Sequence, residues 1–434
     1  MHLSVALWYC FLLYLSLATV GTAVNLLMPH PYMDEVFHAP QTQAYCAGNW
    51  TQWDPKITTL PGLYVTAVPY AKAVTSTLPV WATPCPTSVL RSLNWALCVG
   101  VAALAASIRA RLFPGRGDAV PVAVAVIATP MLVQSAALFY TDVGSLFWVL
   151  AAYRLALSAR HLSSAAAGAV AVVFRQTNVV WVAAIGALFA LTTVQQRNRV
   201  EVGAGARRQT LTLLRLLVAD AGHVAPLLAP FGAVVAAFCG FVVWNGGIVV
   251  GDAGHHGAVF HGRQLLYFVD FLMLPLGPAV AARLASFSLP SAGTLAVLAG
   301  VVGVVVAAVP HVTHVHEFLL ADNRHIAFAL WRHVYRKPWA RFVLAPMNVC
   351  AAYVVGKATA AADTALHGAV IFAGVAATVV PSPLFEPRYF ITPLAMVVLH
   401  FPFWRRGFAV AGAWLQALAA AAALVVMLAF PFTW

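Results

Sequence analysis

Charged side chains are scarce in this chain. Asp, Glu, Lys and Arg make up 9% of its 434 residues, and 13 of them are acidic, whereas soluble globular proteins carry roughly 25% charged residues. With 62% hydrophobic residues and a mean hydropathy of +0.84, the composition excludes an ordinary soluble domain. It predicts an all-α polytopic membrane protein whose successive spans pack together as one membrane domain over residues 1–434.

Basic residues outnumber acidic ones and give the chain a net charge of +12. In a soluble protein such an excess would suggest nucleic-acid binding. Here the arginines cluster in short connections between apolar runs, at 109–116 and 197–208, as they do in the cytoplasmic loops of membrane proteins. The sequence therefore excludes nucleic acid as a partner and indicates a protein embedded in the lipid bilayer.

Metal-binding motifs are missing from the sequence. The six cysteines form no C-x-x-C pair and have no metal-ligand spacing. Three histidines, His255, His256 and His261, lie in a Gly-rich stretch, but further ligands at a recognisable spacing are lacking. We therefore expect no metal and no cofactor. Cys46 and Cys85 flank the first loop, where they form either a disulfide in an oxidising lumen or two free thiols.

The apolar runs predict about 11 to 13 transmembrane helices. The first run, about 5–28, is longer than the ~7–15 residues of a signal-peptide core and has no basic segment before it, so we interpret it as an uncleaved span. A long first loop follows at about 29–92. It carries the sequon Asn49-Trp50-Thr51, which favours a luminal position. We place segment 311–341 on the same side, because the later charges then follow the positive-inside rule.

The apolar run 163–194 is too long for one span of ~20 residues. Its middle contains Arg175, between Phe174 and Gln176. An arginine at mid-bilayer costs about 2.5–3.5 kcal/mol on insertion scales. The run therefore predicts a short hairpin that brings Arg175 to a water-filled cavity.

Two adjacent carboxylates, Asp34 and Glu35, follow the first span. In a chain so poor in charge they indicate a site that meets water, a cation or a substrate, although they would also suit the first turn of a helix. On the predicted topology they share one membrane face with Arg175 and Arg388. A carboxylate can act as a general base, and arginines grip phosphate through paired hydrogen bonds, which suits a lipid-phosphate-linked donor.

The alternative for these arginines is a structural one. Buried arginine normally has an anionic partner, and an internal carboxylate such as Asp142 or Glu386 would serve. Asp142 also lies where it could cap the following helix, and Asp54, before Pro55, could simply start a turn.

Several polar motifs resemble those of one enzyme family, in order along nearly the whole chain. The motifs are Pro31-Tyr32-Met33-Asp34-Glu35 with Phe37-His38, Gln41 and Tyr45-Cys46, then 53–64, Phe174-Arg175-Gln176-Thr177-Asn178, 319–325 and Glu386-Pro387-Arg388-Tyr389. The chain resembles the dolichyl-phosphate-glucose-dependent α-1,2-glucosyltransferases of the endoplasmic reticulum. These enzymes add the terminal glucose to the lipid-linked oligosaccharide for N-glycosylation.

The resemblance implies a GT-C glycosyltransferase fold in the endoplasmic reticulum membrane, with a luminal active site and inversion at the anomeric carbon. Its substrates would be dolichyl phosphate glucose and the diglucosylated dolichyl-diphosphate-linked oligosaccharide. By this resemblance Asp34 is the base and Glu35 a second candidate or an orienting group. Arg388, Arg324 and Arg175 would bind the donor phosphate. The substrate-binding candidates are His38, Gln41, Asp54, Lys56, Asp252, His316, Asp322 and His325.

One departure from the family concerns Glu317, which stands where the family pattern has Pro after the motif histidine, and it bears on the choice of acceptor. Alternative functions remain at this point: a related transferase that moves mannose, a secondary transporter, or a non-catalytic membrane scaffold. Transporters usually contain internal repeats with paired broken helices, and the sequence shows no such symmetry.

Overall fold

The computed structural model describes residues 3–78, 83–200, 206–286, 290–321, 326–362, 364–403 and 405–429. Every regular element in these ranges is helical, which confirms the all-α prediction. The α-helices are α1 (Leu3–Leu27), α2 (Glu35–Cys46), α3 (Gly62–Thr77), α4 (Thr87–Leu112), α5 (Ala119–Ile127), α6 (Pro130–Ala137), α7 (Thr141–Ala156), α8 (His161–Phe174), α9 (Val179–Arg197), α10 (Ala206–Ala219), α11 (Ala221–Asn245), α12 (Gln264–Ala285), α13 (Ala292–Ala308), α14 (Glu317–Ala321), α15 (Ile326–Leu330), α16 (Ala340–Ala362), α17 (Ala365–Val379), α18 (Ile391–His400) and α19 (Arg406–Ala429). Short 3₁₀ turns lie at Gln176–Asn178 and Pro387–Phe390, and a π-helical turn at Trp331–Tyr335.

Many of these helices are long and apolar enough to cross a membrane. Six described helices reach at least 18 residues with high hydropathy: α4, α9 with its preceding turn, α11, α12, α16 and α19. Helices α5 and α6 together meet the same test but bend by 64°, and Pro130 begins the second of them, where its missing N–H costs nothing. Four shorter apolar helices accompany them. The polytopic prediction is confirmed. In the described ranges six helices, or seven spans with the bent pair, pass the test, and the predicted number of 11 to 13 is reached only if the four shorter helices are also counted.

Small residues allow the helices to pack closely in the main hydrophobic core, which draws on residues from α4 to α19. A Cβ at Gly412 in α19 would lie 2.0 Å from the carbonyl oxygen of Pro275 in α12. The two backbones therefore touch, and this position accepts no side chain. Such contacts between small residues are typical of helix packing in membranes.

The predicted break at Arg175 is present. Helix α8 ends at Phe174, Arg175 is extended with φ −149° and ψ 123°, and the 3₁₀ turn leads into α9. The Asn178 side chain donates a hydrogen bond of 2.7 Å to the carbonyl oxygen of Ala171. A Cβ at Gly168 in α8 would lie 2.9 Å from the Val182 side chain in α9, so the two helices fold back on each other as the predicted hairpin.

The long first loop contains helices α2 and α3 and ends where α4 begins. Cys46 at the end of α2 forms a disulfide with Cys85 just before α4, which decides between the two alternatives for these cysteines. Within the loop, Gln41 donates to the carbonyl oxygen of Gln52 at 2.7 Å and accepts from the N–H of Asp54 at 2.9 Å. These bonds hold the loop as an ordered layer over the membrane helices.

Candidate active site

Asp34 lies at a sharp turn between the first span and α2. Met33, the residue before it, adopts a left-handed conformation with φ 53°, which a non-glycine residue seldom adopts. The backbone N–H of Asp34 donates a hydrogen bond of 3.0 Å to the Tyr140 hydroxyl. Because α2 begins at the next residue, Glu35, the two adjacent carboxylates leave the backbone in different directions.

Glu35 is fully buried and paired with Arg91 of α4. Arg91 Nε lies 2.9 Å from Oε1 and Nη2 lies 2.6 Å from Oε2, and both side chains are 0% exposed. The same carboxylate accepts hydrogen bonds from the backbone N–H of Tyr32 at 3.0 Å and of Phe139 at 2.6 Å. The Glu35 carboxylate thus ties the turn, α4 and the start of α7 together.

The other N–H groups of Arg91 donate hydrogen bonds to residues near the same turn. Its Nη atoms donate to the side chain of Asn25 and to the carbonyl oxygens of Met28 and His30, at 2.8–3.1 Å. Our sequence interpretation did not single out this residue. The available signal was an arginine in the first turns of an apolar span, which in a membrane requires an anionic partner.

Asp34, by contrast, faces an open site. Arg388 Nη1 donates to Asp34 Oδ2 at 3.0 Å, and Arg388 Nε lies 3.3 Å from Glu386 Oε1. The Asp34 side chain is 42% exposed and that of Arg388 17%. The Arg388 guanidinium also lies 4.8 Å from the ring centre of Tyr140. Burial would lower the pKa of Arg388, but the charges of Glu386 and Asp34 outweigh it and raise that pKa well above its usual value, so this side chain stays protonated.

Arg175 and Asp142 form a second ion pair beside the first. Arg175 Nη1 donates to Asp142 Oδ1, and the Arg175 guanidinium lies 5.4 Å from the ring centre of Tyr389. Asp142 Oδ1 accepts from Arg175, and Oδ2 has no hydrogen-bond partner among the described residues, so Asp142 does not cap α7 and the capping interpretation was wrong. Each arginine therefore has a carboxylate partner within the protein, as the structural alternative predicted.

Arg388 of the first ion pair and both members of the second pair line one cavity. A polar cavity of about 230 Å³ is lined by Asp142, Arg175 and Arg388. An apolar cavity of about 390 Å³ lies next to it, walled by side chains of α6, α12 and α19, and Glu386 and Arg388 lie at its polar end. Arg388 belongs to the walls of both cavities. A ligand with a charged centre and an apolar tail would fit this junction.

His38 lies beneath the turn, on α2. Its Nδ1 is hydrogen-bonded to the Tyr64 hydroxyl at 2.7 Å. Burial lowers the pKa of His38 below its usual value, although the nearby charge of Asp34 opposes the shift. The ring is therefore neutral at neutral pH, and it supports the turn without adding charge.

Three other predicted substrate-binding residues, Gln41, Asp54 and Lys56, lie further along the first loop. Asp54 accepts a hydrogen bond of 2.9 Å from the backbone N–H of Lys56, as an Asx turn does, and Gln41 is buried in the same loop. Lys56 is exposed on that loop and its Nζ lies 5.5 Å from the ring centre of Phe37.

A second polar cluster lies where the Gly- and His-rich loop meets the first loop. Asp252 bonds His255 at 2.6 Å, and its N–H donates to the carbonyl oxygen of Pro55 at 3.1 Å. His316 Nε2 donates to the carbonyl oxygen of His255 at 2.9 Å. No group of His, Cys, Asp and Glu in the described ranges has the arrangement of a metal site. The remaining predicted residues, Asp322, Arg324 and His325, lie outside the described residues.

This fold and site define a polytopic helical membrane protein with a carboxylate and an arginine in contact where a polar and an apolar cavity meet. The chain belongs to the DIE2/ALG10 family, whose model matches residues 28–399, and this confirms the resemblance drawn from the motifs.

Among its relatives are proteins named Dol-P-Glc:Glc(2)Man(9)GlcNAc(2)-PP-Dol alpha-1,2-glucosyltransferase in three organisms. The protein of Mus musculus is 33% identical over 88% of this chain and 86% of its own length. That of Arabidopsis thaliana is 32% identical over 87% of each chain, and that of Drosophila melanogaster is 30% identical over 87% of this chain and 85% of its own. No solved structure matches the chain.

Proposed function

We propose that this protein transfers glucose from dolichyl phosphate glucose, in α-1,2 linkage, to the diglucosylated dolichyl-diphosphate-linked oligosaccharide. The activity follows from the family and the names of its relatives. The observation that carries the proposal is the contact of Asp34 with Arg388 at the junction of the two cavities. One residue of that contact can take a proton, and the other can hold a phosphate.

The donor would lie across the junction. Its polyprenyl chain would occupy the apolar cavity between α6, α12 and α19, its phosphate would reach Arg388, and its sugar would enter the polar cavity. Arg388 remains protonated, so it can form charge-assisted hydrogen bonds with the phosphate. The described cluster holds three carboxylates, Asp34, Asp142 and Glu386, against two arginines. Arg324 therefore stays our candidate for further positive charge.

The reaction would be a single displacement with inversion at the anomeric carbon. The acceptor hydroxyl oxygen forms a bond to C1 of glucose while the bond from C1 to the phosphate oxygen breaks, and dolichyl phosphate leaves. Asp34 takes the hydroxyl proton as general base. A phosphate at Arg388 would compete with Asp34 for the guanidinium, which would leave the carboxylate to the hydroxyl. As proposed, the step uses no metal or cofactor.

Glu35 would have a positioning role. Its carboxylate is fully buried and engaged by Arg91 and two backbone N–H groups, so no substrate hydroxyl would reach it. Its contacts fix the turn on which Asp34 lies. Of the two adjacent carboxylates, we therefore assign Asp34 as the base.

The active site would face the lumen of the endoplasmic reticulum. The Cys46–Cys85 disulfide lies in the loop that carries Asp34, and disulfides persist in oxidising compartments. The sequon at Asn49 lies in the same loop. The basic connections lie at the other ends of the helices, as the positive-inside rule requires of cytoplasmic loops.

The proposal is tested by an assay of the purified protein with dolichyl phosphate glucose and the diglucosylated lipid-linked acceptor. We expect glucose to be transferred and the product linkage to be α-1,2. Transfer from dolichyl phosphate mannose alone would overturn the choice of sugar. Absence of transfer from either donor, by a folded protein, would favour the transporter or the scaffold.

Replacing Arg388 by Lys should weaken use of the donor. Lysine keeps the charge but cannot form the paired hydrogen bonds of a guanidinium, and a hydrogen bond to a charged group contributes about 1.5–3 kcal/mol. We therefore expect kcat/KM for the donor to fall by roughly 10- to 100-fold. Arg160→Lys, at an exposed position on the basic face, is the matched control. Unchanged donor kinetics in Arg388→Lys would remove Arg388 from phosphate binding.

A further inference from the structure

A large cavity lies at the end of the molecule opposite to Asp34. Its volume is about 900 Å³, and its walls come from the last turns of α4, α7, α9 and α16 and the first turns of α17, with His400 at the end of α18. Helices α7 and α9 begin beside Asp142 and Arg175 in the active site and end at this cavity. The two sites therefore lie on opposite faces of the membrane, and the proposed transfer does not use this cavity.

Two arginines lie on the rim of the cavity. Arg111 and Arg199 line it, and no carboxylate is found among its described lining residues. Two described carboxylates pair with other arginines: Asp118 pairs with Arg109 at 2.6 Å, and Asp220 lies 3.8 Å from Arg197.

Both rim arginines have further N–H groups that could donate hydrogen bonds to a ligand. Arg111 uses Nη1 to bind the carbonyl oxygen of Leu157 at 2.6 Å. Arg199 is exposed, and its guanidinium forms no hydrogen bond or ion pair with the residues that the structure describes. Two guanidinium groups on one rim can share a phosphate, the anion that arginine binds best.

Helix ends at the cavity oppose an anion only weakly. The C-terminus of a helix carries a partial negative charge of roughly half an elementary charge, and its effect fades within the last turn. Helices α4, α7 and α9 each have arginine in that turn, at Arg109, Arg154 and Arg197. Two of these arginines also pair with carboxylates, Arg109 with Asp118 and Arg197 with Asp220, and α16 has no basic residue in its last turn. Binding of a phosphate here therefore depends on Arg111 and Arg199.

Apart from the two rim arginines, the cavity has no charged side chain among its described lining residues and combines apolar groups with neutral polar ones such as Thr192 and Gln196. Leu188, Phe189 and Ile371 form part of its wall. His400 and Tyr153 lie deep in the cavity, where Nε2 of His400 and the Tyr153 hydroxyl are hydrogen-bonded at 2.6 Å. A ligand that fills this space carries a phosphate at the rim and an apolar part within.

We propose that this cavity binds the headgroup of an anionic phospholipid, with its phosphate between Arg111 and Arg199 and its glycerol and first acyl carbons against the apolar wall. The volume lies within the roughly 300–1,000 Å³ of small-ligand sites. Basic pockets between transmembrane helices on the cytoplasmic side are a known mode of anionic lipid binding, and the positive-inside rule assigns this face to the cytoplasm.

The proposal is tested by native mass spectrometry of the full-length protein with equal amounts of dioleoyl phosphatidylserine and dioleoyl phosphatidylcholine. We expect one phosphatidylserine to be retained in preference to phosphatidylcholine. Arg199→Gln should weaken that retention about fivefold, the effect of one basic residue near an anionic lipid surface. Arg111→Gln added to it should weaken retention further.

Arg208→Gln is the matched control, because Arg208 is exposed on α10 on the same face but does not line the cavity. Equal retention of the two lipids, or equal loss in Arg208→Gln and Arg199→Gln, would overturn the proposal. So would stabilisation against heat by inorganic phosphate that matches the effect of dioctanoyl phosphatidylserine and disappears in Arg199→Gln, because it would assign the site to a soluble anion. Arg199→Gln removes no hydrogen bond within the described protein, so its folding should match that of the wild type.

Discussion

Asp34→Asn is expected to abolish glucosyl transfer while the protein stays folded. The amide keeps an oxygen that can accept the hydrogen bond from Arg388, but it cannot take a proton from the acceptor hydroxyl. General-base catalysis typically contributes 10²–10⁴-fold, so kcat should fall by about that factor. The KM for dolichyl phosphate glucose should change little. Steady-state kinetics with both substrates measures the two effects separately.

Two controls accompany this variant. Asp220→Asn removes a carboxylate at the opposite end of the molecule, and we expect it to keep full activity. Asp34→Glu restores a carboxylate one methylene further out, and we expect partial recovery. Normal turnover in Asp34→Asn would remove Asp34 from the mechanism, and loss of donor binding instead of kcat would make it a binding residue.

Arg91→Ala is expected to destabilise the protein by about 3–5 kcal/mol, because it leaves the buried carboxylate of Glu35 without its partner. The same change removes the donors that bind Asn25, Met28 and His30. Thermal or denaturant unfolding in a single detergent measures the effect. A change in unfolding free energy below about 1 kcal/mol, as exposed ion pairs show, would contradict the role assigned to this pair.

The double variant Glu35→Gln with Arg91→Met separates stability from positioning. It removes both charges, and the loss should be smaller than for Arg91→Ala, since uncompensated buried charge is the main cost. If Glu35 positions the turn, the double variant should fold and yet transfer glucose more slowly, with the loss in kcat and little change in donor KM. Full activity in this variant would show that Asp34 does not depend on the pair.

Much of the fold could be predicted from local features of the sequence. The apolar runs set the helices, and the break at Arg175 followed from the length of one run and the cost of an arginine in lipid. The bend between α5 and α6 was not predicted, because the turn at Pro130 lies inside a continuous apolar run. The helix α10 was expected only as part of a basic connection.

The sequence predicted which residue types form the site, but it did not determine which carboxylate contacts which arginine. Asp34 and Glu35 look equivalent in the sequence, yet the turn at Met33 sends one into the open site and the other to Arg91, 56 residues further along the chain. Asp142 was considered both as a helix cap and as a carboxylate partner for an arginine, and the structure shows the second, with Arg175. Such pairs depend on how distant helices pack, and no periodicity in the sequence encodes them.

The buried contacts of Glu35 have a practical consequence for mutagenesis at its neighbour. They hold the turn through Glu35, whereas the Asp34 side chain is 42% exposed. Substitutions at position 34 other than proline, which would remove the N–H that donates to Tyr140, should therefore change the melting temperature little, because Arg388 keeps Glu386 as a partner. Differences in rate across that set would then report the chemistry of the group that meets the acceptor sugar, free of the folding defects that usually confuse such scans.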